Sequence, residues 1–166
     1  MDPDNRRPVD FQKRKLLLKE IRAGAEGDLP ALISDFLHHR EDGRIKLWLV
    51  FMGLRARKEY AEVFRSGKYV PLEVSGRYSD NIVGYGRNAG DRWSVTIVPR
   101  FLVNLVREAE DPLGTVVWQD THIPLQNEFP RLWRNVLTGE VIHARDTLVI
   151  GEVLRSLPVA LLVNIV

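Results

Sequence analysis

Ile82-Val83-Gly84-Tyr85-Gly86-Arg87 runs into Asn88-Ala89-Gly90-Asp91 and then into Trp93-Ser94-Val95-Thr96-Ile97-Val98. The outer runs are short and rich in β-branched and aromatic residues, which suit a pleated, half-buried surface. The segment between them has the small and polar residues of a tight turn. This is the signature of two antiparallel strands joined by a hairpin. The spacing Gly84-x-Gly86-x-x-x-Gly90 resembles a phosphate loop only in composition. Such a loop needs a strand, then glycines, then a helix N-terminus, whereas here strand follows strand.

The same period of two extends in both directions. Tyr69-Val70-Pro71-Leu72-Glu73-Val74 precedes the hairpin across a turn at Ser75-Gly76, and Pro99-Arg100 ends it. After a short helical stretch from Phe101 to Glu108, further strands are expected at Thr115-Val116-Val117-Trp118, Arg131 to Val136, Val141-Ile142-His143 and Val159 to Val163.

Before Lys68 the period is helical. Asp10 is placed to cap a helix from Phe11 to Ile21, with Gly24 and Gly27 beyond its end. Asp28-Leu29-Pro30 starts a second helix, with Pro in the first turn where its missing N–H is harmless. Leu29, Leu32, Ile33, Phe36 and Leu37 mark its apolar face. A third helix is expected from about Ile45 to Phe64, through Ile45, Trp48, Leu49, Met52, Ala56, Tyr60 and Val63. The expected fold class is therefore α+β: about three helices over residues 1–67, then an antiparallel β-sandwich over residues 68–166. No internal repeat is visible.

Composition excludes several classes. The 166 residues fit one ordinary domain core. Twenty-four basic against 22 acidic residues leave a net charge of +2 and no basic surplus for nucleic acid. The clusters Arg6-Arg7 and Lys13-Arg14-Lys15 read as a loop anchor and a solvated helix face. With no cysteine there is neither a disulfide nor a thiolate metal site. The apolar run at Pro158-Val159-Ala160-Leu161-Leu162-Val163 is far shorter than the roughly 20 residues of a membrane span. The N-terminus carries no apolar signal segment. A cytoplasmic protein with no membrane or nucleic-acid partner is expected.

Chemistry is sparse. Glycoside chemistry needs two carboxyls across a sugar ring. Asp2 and Asp4, and Glu41 and Asp42, are neighbours in sequence, but spacing alone gives them no such role. Asp2-x-Asp4 begins like a calcium loop and fails at the sixth position, where Gly is required and Arg7 stands, and at the twelfth, where Glu is required. His38-His39 fit a helix end bonding the last carbonyls, and neither they nor His122 and His143 have metal spacing. No Gly-x-Ser-x-Gly elbow is present. No catalytic residue, metal or cofactor is assigned. Trp48, Trp93, Trp118 and Trp133 each fall on an apolar face and read as core. Exposed and coplanar, they would instead make a stacking platform, and the chain a stand-alone carbohydrate-binding module for α-glucans.

One family shares the opening Asp2-Pro3-Asp4-Asn5-Arg6-Arg7-Pro8-Val9-Asp10, which resembles the loop after the last barrel strand of malto-oligosyltrehalose synthases. Asp42 to Leu49, Phe64 to Leu72, Val98-Pro99-Arg100, Trp118-Gln119-Asp120-Thr121 and Pro158 to Leu162 are similar to the same family in the same order. These enzymes belong to the α-amylase-like glycoside hydrolase superfamily. The resemblance implies a C-terminal fragment lacking most of the catalytic barrel. It implies a parent enzyme that converts the reducing-end α-1,4 linkage of a malto-oligosaccharide to an α,α-1,1 linkage by a retaining double displacement. The catalytic carboxylates would lie upstream of Asp2, so this chain by itself would be inactive, and its partners would be the missing barrel and a malto-oligosaccharide. Asp4, Asn5, Arg6 and Arg7 are then the substrate-site candidates. They either hold sugar hydroxyls and orient a carboxylate, or brace the barrel. An apolar patch on the helical half is expected where that barrel packs.

Overall fold

The computed structural model describes residues 9–107 and 110–165. Helices come first: α1 (Phe11–Gly24), α2 (Leu29–His38), α3 (Arg44–Glu59) and α4 (Ala61–Ser66). Strands follow as β1 (Lys68–Pro71), β2 (Ile82–Ala89) and β3 (Arg92–Pro99). After one helical turn, α5 (Gly114–Trp118), come β4 (His122–Pro124), β5 (Leu132–Asn135), β6 (Val141–His143) and β7 (Thr147–Val149). The short α6 (Ile150–Val153) and β8 (Ala160–Asn164) complete the order. The α+β class read from the sequence holds. Two compact units make up the chain, residues up to Trp48 and residues from Leu49, while helix gives way to strand later, between Ser66 and Lys68.

In the first unit the helix starts are those read from the sequence. The Asp10 carboxylate accepts from the Lys13 N–H at 2.8 Å and Asp28 does the same for Ala31 at 3.0 Å. Each satisfies one of the orphan donors of a helix N-terminus. Ile33, Phe36 and Leu37 of α2 are buried, as the helical spacing requires. Phe36 packs on Trp48 with ring centroids 6.1 Å apart.

The second unit holds the sheet, ordered β1-β2-β3-β8-β5-β6, with every neighbouring pair antiparallel. β4 and β7 form a separate antiparallel pair. The hairpin is in register from Ile82 opposite Pro99 to Ala89 opposite Arg92, with Gly90 in the left-handed region at φ +64°. Trp93, Val95 and Ile97 alternate onto the inner face and join Trp133, Ala160 and Leu162. Ile123, Leu148, Ile150, Val153, Leu154 and Trp118 belong to the same buried cluster. Trp118 and Trp133 are fully buried, and each contributes about 4–6 kcal/mol of gross apolar burial. Their indole N–H groups donate to the carbonyls of Pro112 (2.8 Å) and Pro130 (2.9 Å).

Four elements depart from the sequence reading. Thr115 to Trp118 is a helical turn and not a strand: a methyl at Gly151 would stand 2.5 Å from the Thr115 Cα, so α6 presses on this backbone and tertiary packing overrides β propensity. The third helix breaks at Tyr60, where Arg134 hydrogen-bonds the Tyr60 hydroxyl and lies 3.5 Å from Glu59. The expected strand from Tyr69 ends at Pro71, which has no N–H to continue a ladder. After β3, Phe101 is left-handed at φ 55°, and among the described residues a 3-10 turn, Leu102–Asn104, stands in place of the helix expected there. The Asn81 amide holds that corner by donating to the carbonyls of Arg100 (3.2 Å) and Phe101 (3.1 Å). β4, β7 and α6 were not read from the sequence.

Candidate functional site

Asp4, Asn5, Arg6 and Arg7 lie outside the described residues. What the structure places is the element they lead into: Val9 precedes the Asp10 cap of α1.

Three of the four histidines bond backbone carbonyls. His38 Nδ1 bonds the Ser34 carbonyl at 2.7 Å and His39 Nδ1 the Asp35 carbonyl at 3.1 Å, closing the end of α2 as its sequence position suggests. His122 Nδ1 bonds the Asp120 carbonyl at 2.7 Å. Among the described residues no three His, Asp or Glu side chains gather as a metal site. Gly84 and Gly86 belong to β2 and lead into the hairpin, with no helix N-terminus after them. All four tryptophans are buried, at 7% exposure or less, so they make no stacking platform. That removes the feature on which the carbohydrate-binding-module reading stood.

Asp35, Asp42 and Glu140 hold backbone groups and basic side chains. Arg44 bridges Asp35 (2.7 Å) and Asp42 (2.6 Å). Partial burial by itself would raise the Asp42 pKa. The Arg44 backbone N–H, its guanidinium hydrogen bond and the charges of Arg44 and His39 outweigh that and hold it below the usual carboxyl value. The hydrogen bond to Asp42, more than that to Asp35, pushes the Arg44 pKa up against the opposing effect of burial. Burial, then the hydrogen bond to Glu59, pushes the Tyr60 phenol up, against the opposing effect of Arg134. Glu140 receives Arg155 Nε at 2.6 Å, Ser156 Oγ at 2.7 Å and Thr138 Oγ1 at 2.8 Å. None of these described acids is placed as one of two carboxyls facing each other across a substrate.

The stretches singled out in the sequence perform identifiable structural work. In Phe64 to Leu72, the carbonyl of Gly67 receives Arg87 Nη2 at 3.0 Å, and the same guanidinium donates from Nε to the Val63 carbonyl at 3.1 Å. Arg87 thus ties the end of α4 to β2. Arg100 donates from Nε to the Asp80 carbonyl at 2.8 Å. Trp118-Gln119-Asp120-Thr121 forms a lock with residues 75–78. Asp120 accepts from the Arg77 N–H (3.0 Å), Thr121 Oγ1 from the Tyr78 N–H (3.1 Å), and Ser75 and His122 exchange backbone hydrogen bonds. Gln119 is left-handed at φ 49° and accepts weakly from Arg77 Nη1 at 3.4 Å. Of this lock Ser75-Gly76 had a local sequence signal, as a turn, and Trp118 to Thr121 stood out only through the resemblance. The strain at Gln119 depends on long-range packing and had none.

Comparison with known proteins now bears on these stretches. No model of a protein family matches the chain. Proteins named as maltooligosyl trehalose synthases in two strains of Mycobacterium tuberculosis are each 29% identical over 164 residues. A solved mutant of maltooligosyltrehalose synthase from Arthrobacter ramosus superposes with a TM-score of 0.70 at 28% identity. The chain is similar to maltooligosyl trehalose synthases. Sequence and fold agree on this over 99% of its length. The chain spans only 17% of the Mycobacterium synthase and 18% of the Arthrobacter one. No helix among the described residues is long and apolar enough to cross a membrane.

Proposed function

We propose that this chain is the C-terminal part of an enzyme of the α-amylase-like glycoside hydrolase superfamily that forms trehalosyl ends on malto-oligosaccharides. The reaction moves the reducing-end glucose from an α-1,4 to an α,α-1,1 linkage, by intramolecular transglucosylation. The chain's own role is structural and non-catalytic. Residues 1–67 end the catalytic barrel and connect it to a β-sandwich of residues 68–166, and the enzyme works in the cytoplasm. The observation that carries this reading is the match of nearly the whole chain, in sequence and in fold, to about a sixth of named synthases.

Asp4, Asn5, Arg6 and Arg7 are its substrate-side contribution. Two adjacent guanidinium forks suit the vicinal hydroxyls of glucose or a catalytic carboxylate beside them. Asp4 accepts from such hydroxyls and Asn5 both accepts and donates.

The test is an assay with maltopentaose. The chain is measured alone, and then in a chimera where it replaces the matched stretch of the Mycobacterium synthase. Trehalosyl product is expected from the chimera and none from the chain alone. Product from the chain alone, or a folded chimera without activity, would overturn the reading.

A further inference from the structure

Asp42-Gly43 is the single Asp-Gly step in the 166 residues, and the chain has no Asn-Gly. In such a step the glycine nitrogen can close on the aspartate Cγ, because the following residue has no Cβ to block the approach. The N–Cγ bond forms, and the amide proton leaves with the carboxyl hydroxyl as water. Water then opens the resulting five-membered succinimide at either carbonyl, restoring aspartate or leaving isoaspartate. Nothing is oxidised or reduced, and no reagent besides water takes part. The carboxyl must be neutral to react, since an ionised one has no good leaving group.

Sequence makes this step vulnerable, and the fold restrains it. Asp42 ends the 3-10 turn Arg40–Asp42 between α2 and α3, in an exposed position. Gly43 is left-handed at φ +85°, and a methyl there would meet nothing within 4 Å, so no neighbour crowds the bond from that side. What holds it is Arg44. The Arg44 N–H donates to one Asp42 carboxyl oxygen at 2.8 Å and its Nε to the other at 2.6 Å. The guanidinium is itself fixed from α2: Nη1 lies 2.7 Å from the Asp35 carboxylate, and the group stands over the Phe36 ring, 5.3 Å from its centre. Both Asp42 oxygens thus face donors that favour the ionised, unreactive form.

We propose that Asp42-Gly43 is a site of isoaspartate formation in this chain, and that Arg44, anchored on α2, is the residue that restrains it. Release of Arg44 from Asp42 frees the carboxyl, and the bond isomerises. The product carries the aspartate Cβ in its main chain and the former main-chain carboxyl as its side group. The Arg44 N–H, the first of α3, then loses its acceptor. An opening of this turn is thereby recorded as a covalent change.

The experiment ages the purified chain at neutral pH, folded and in guanidinium chloride. Isoaspartate at position 42 is read by mapping the tryptic fragment that begins at Glu41, whose isomer has the same mass and a different retention time. Formation is expected to be several-fold slower in the folded chain than in denaturant. Arg44→Lys keeps the charge, the N–H and the helix propensity but loses the planar fork that spans Asp35 and Asp42. In the folded state it should form isoaspartate several-fold faster than the unsubstituted chain. Asp28→Ala separates restraint from stability, because it removes the cap of α2 and leaves the Asp42 contacts in place. It should lower the unfolding midpoint without matching that acceleration. Equal rates in folded and denatured chain would overturn the proposal, as would no isoaspartate in either. If Arg44→Lys ages like the unsubstituted chain, or Asp28→Ala accelerates as much at the same midpoint, Arg44 is not the restraint.

Discussion

A methyl group at Gly76 would stand 2.5 Å from the carbonyl oxygen of Asp120 and 2.7 Å from the Cα of Thr121. Gly76 is also left-handed, at φ +97°. The turn before the main hairpin and the Trp118-Gln119-Asp120-Thr121 stretch therefore meet backbone to backbone, at a place where only glycine fits. Gly76→Ala must move one of the two segments and strain the other. The expected loss is about 3 kcal/mol or more, read as a lower denaturation midpoint with an unchanged denaturant slope. A loss below about 1 kcal/mol would mean that the contact relaxes freely.

That contact also marks the limit of what local patterns reveal. Asp10 and Asp28 are legible as helix caps because a cap is decided within four residues. The hairpin of β2 and β3 is legible because Trp93, Val95 and Ile97 alternate with the sheet's own period. Thr115 to Trp118 misleads, because Gly151 fixes its conformation from 36 positions away. The pairing of β3 with β8 is likewise not visible, since Ser94 and Val163 are brought opposite one another only by the assembled core. The candidate site has no such local signature. Arg6 and Arg7 are singled out only by the resemblance of their stretch to a family, not by any constellation of groups, while Arg44, Arg87 and Glu140 are braces.

The link between Asp42 and Arg44 sets a pH dependence. Asp42 accepts from the Arg44 N–H at 2.8 Å and from its Nε at 2.6 Å, and its pKa lies below the ordinary carboxyl value of 3.8. A carboxyl whose folded pKa is depressed stabilises the fold fully above its unfolded pKa, and loses that contribution as pH falls towards the folded value. Stability measured by denaturant titration should therefore drop less steeply below pH 3.8 in Asp42→Asn than in the unsubstituted chain. Parallel pH profiles would show that this pair contributes nothing. The exposed position of the pair keeps the difference small.

Arg6→Ala tests the substrate-side reading of the opening loop in the chimera with the Mycobacterium synthase. Losing one charge-assisted hydrogen bond to substrate costs about 1.5–3 kcal/mol, or roughly tenfold to a hundredfold in kcat/KM. The unfolding midpoint should stay where it was. A brace would behave in the opposite way, with the midpoint lowered and kcat/KM little changed, and that pattern would remove Arg6 from the site.

Gln119 offers a test in the stabilising direction. Its backbone sits at φ 49°, ψ −121°, a region open to glycine and costly for any residue with a Cβ. The side chain gives little in return: it is exposed, and its hydrogen bond to Arg77 Nη1 is 3.4 Å long. Strain of about 1–3 kcal/mol is relieved in Gln119→Gly, against about 0.5–1 kcal/mol of added freedom in the unfolded chain. The balance favours the variant, so a midpoint a few degrees higher is expected for a chain of this size. The neighbouring contacts of Asp120 with Arg77 and of Thr121 with Tyr78 involve other residues and survive the change. If Gln119→Gly destabilises instead, the amide holds the Trp118 turn against residues 75–78 more strongly than its distance to Arg77 suggests. A double-mutant cycle with Arg77→Ala would then measure that coupling directly.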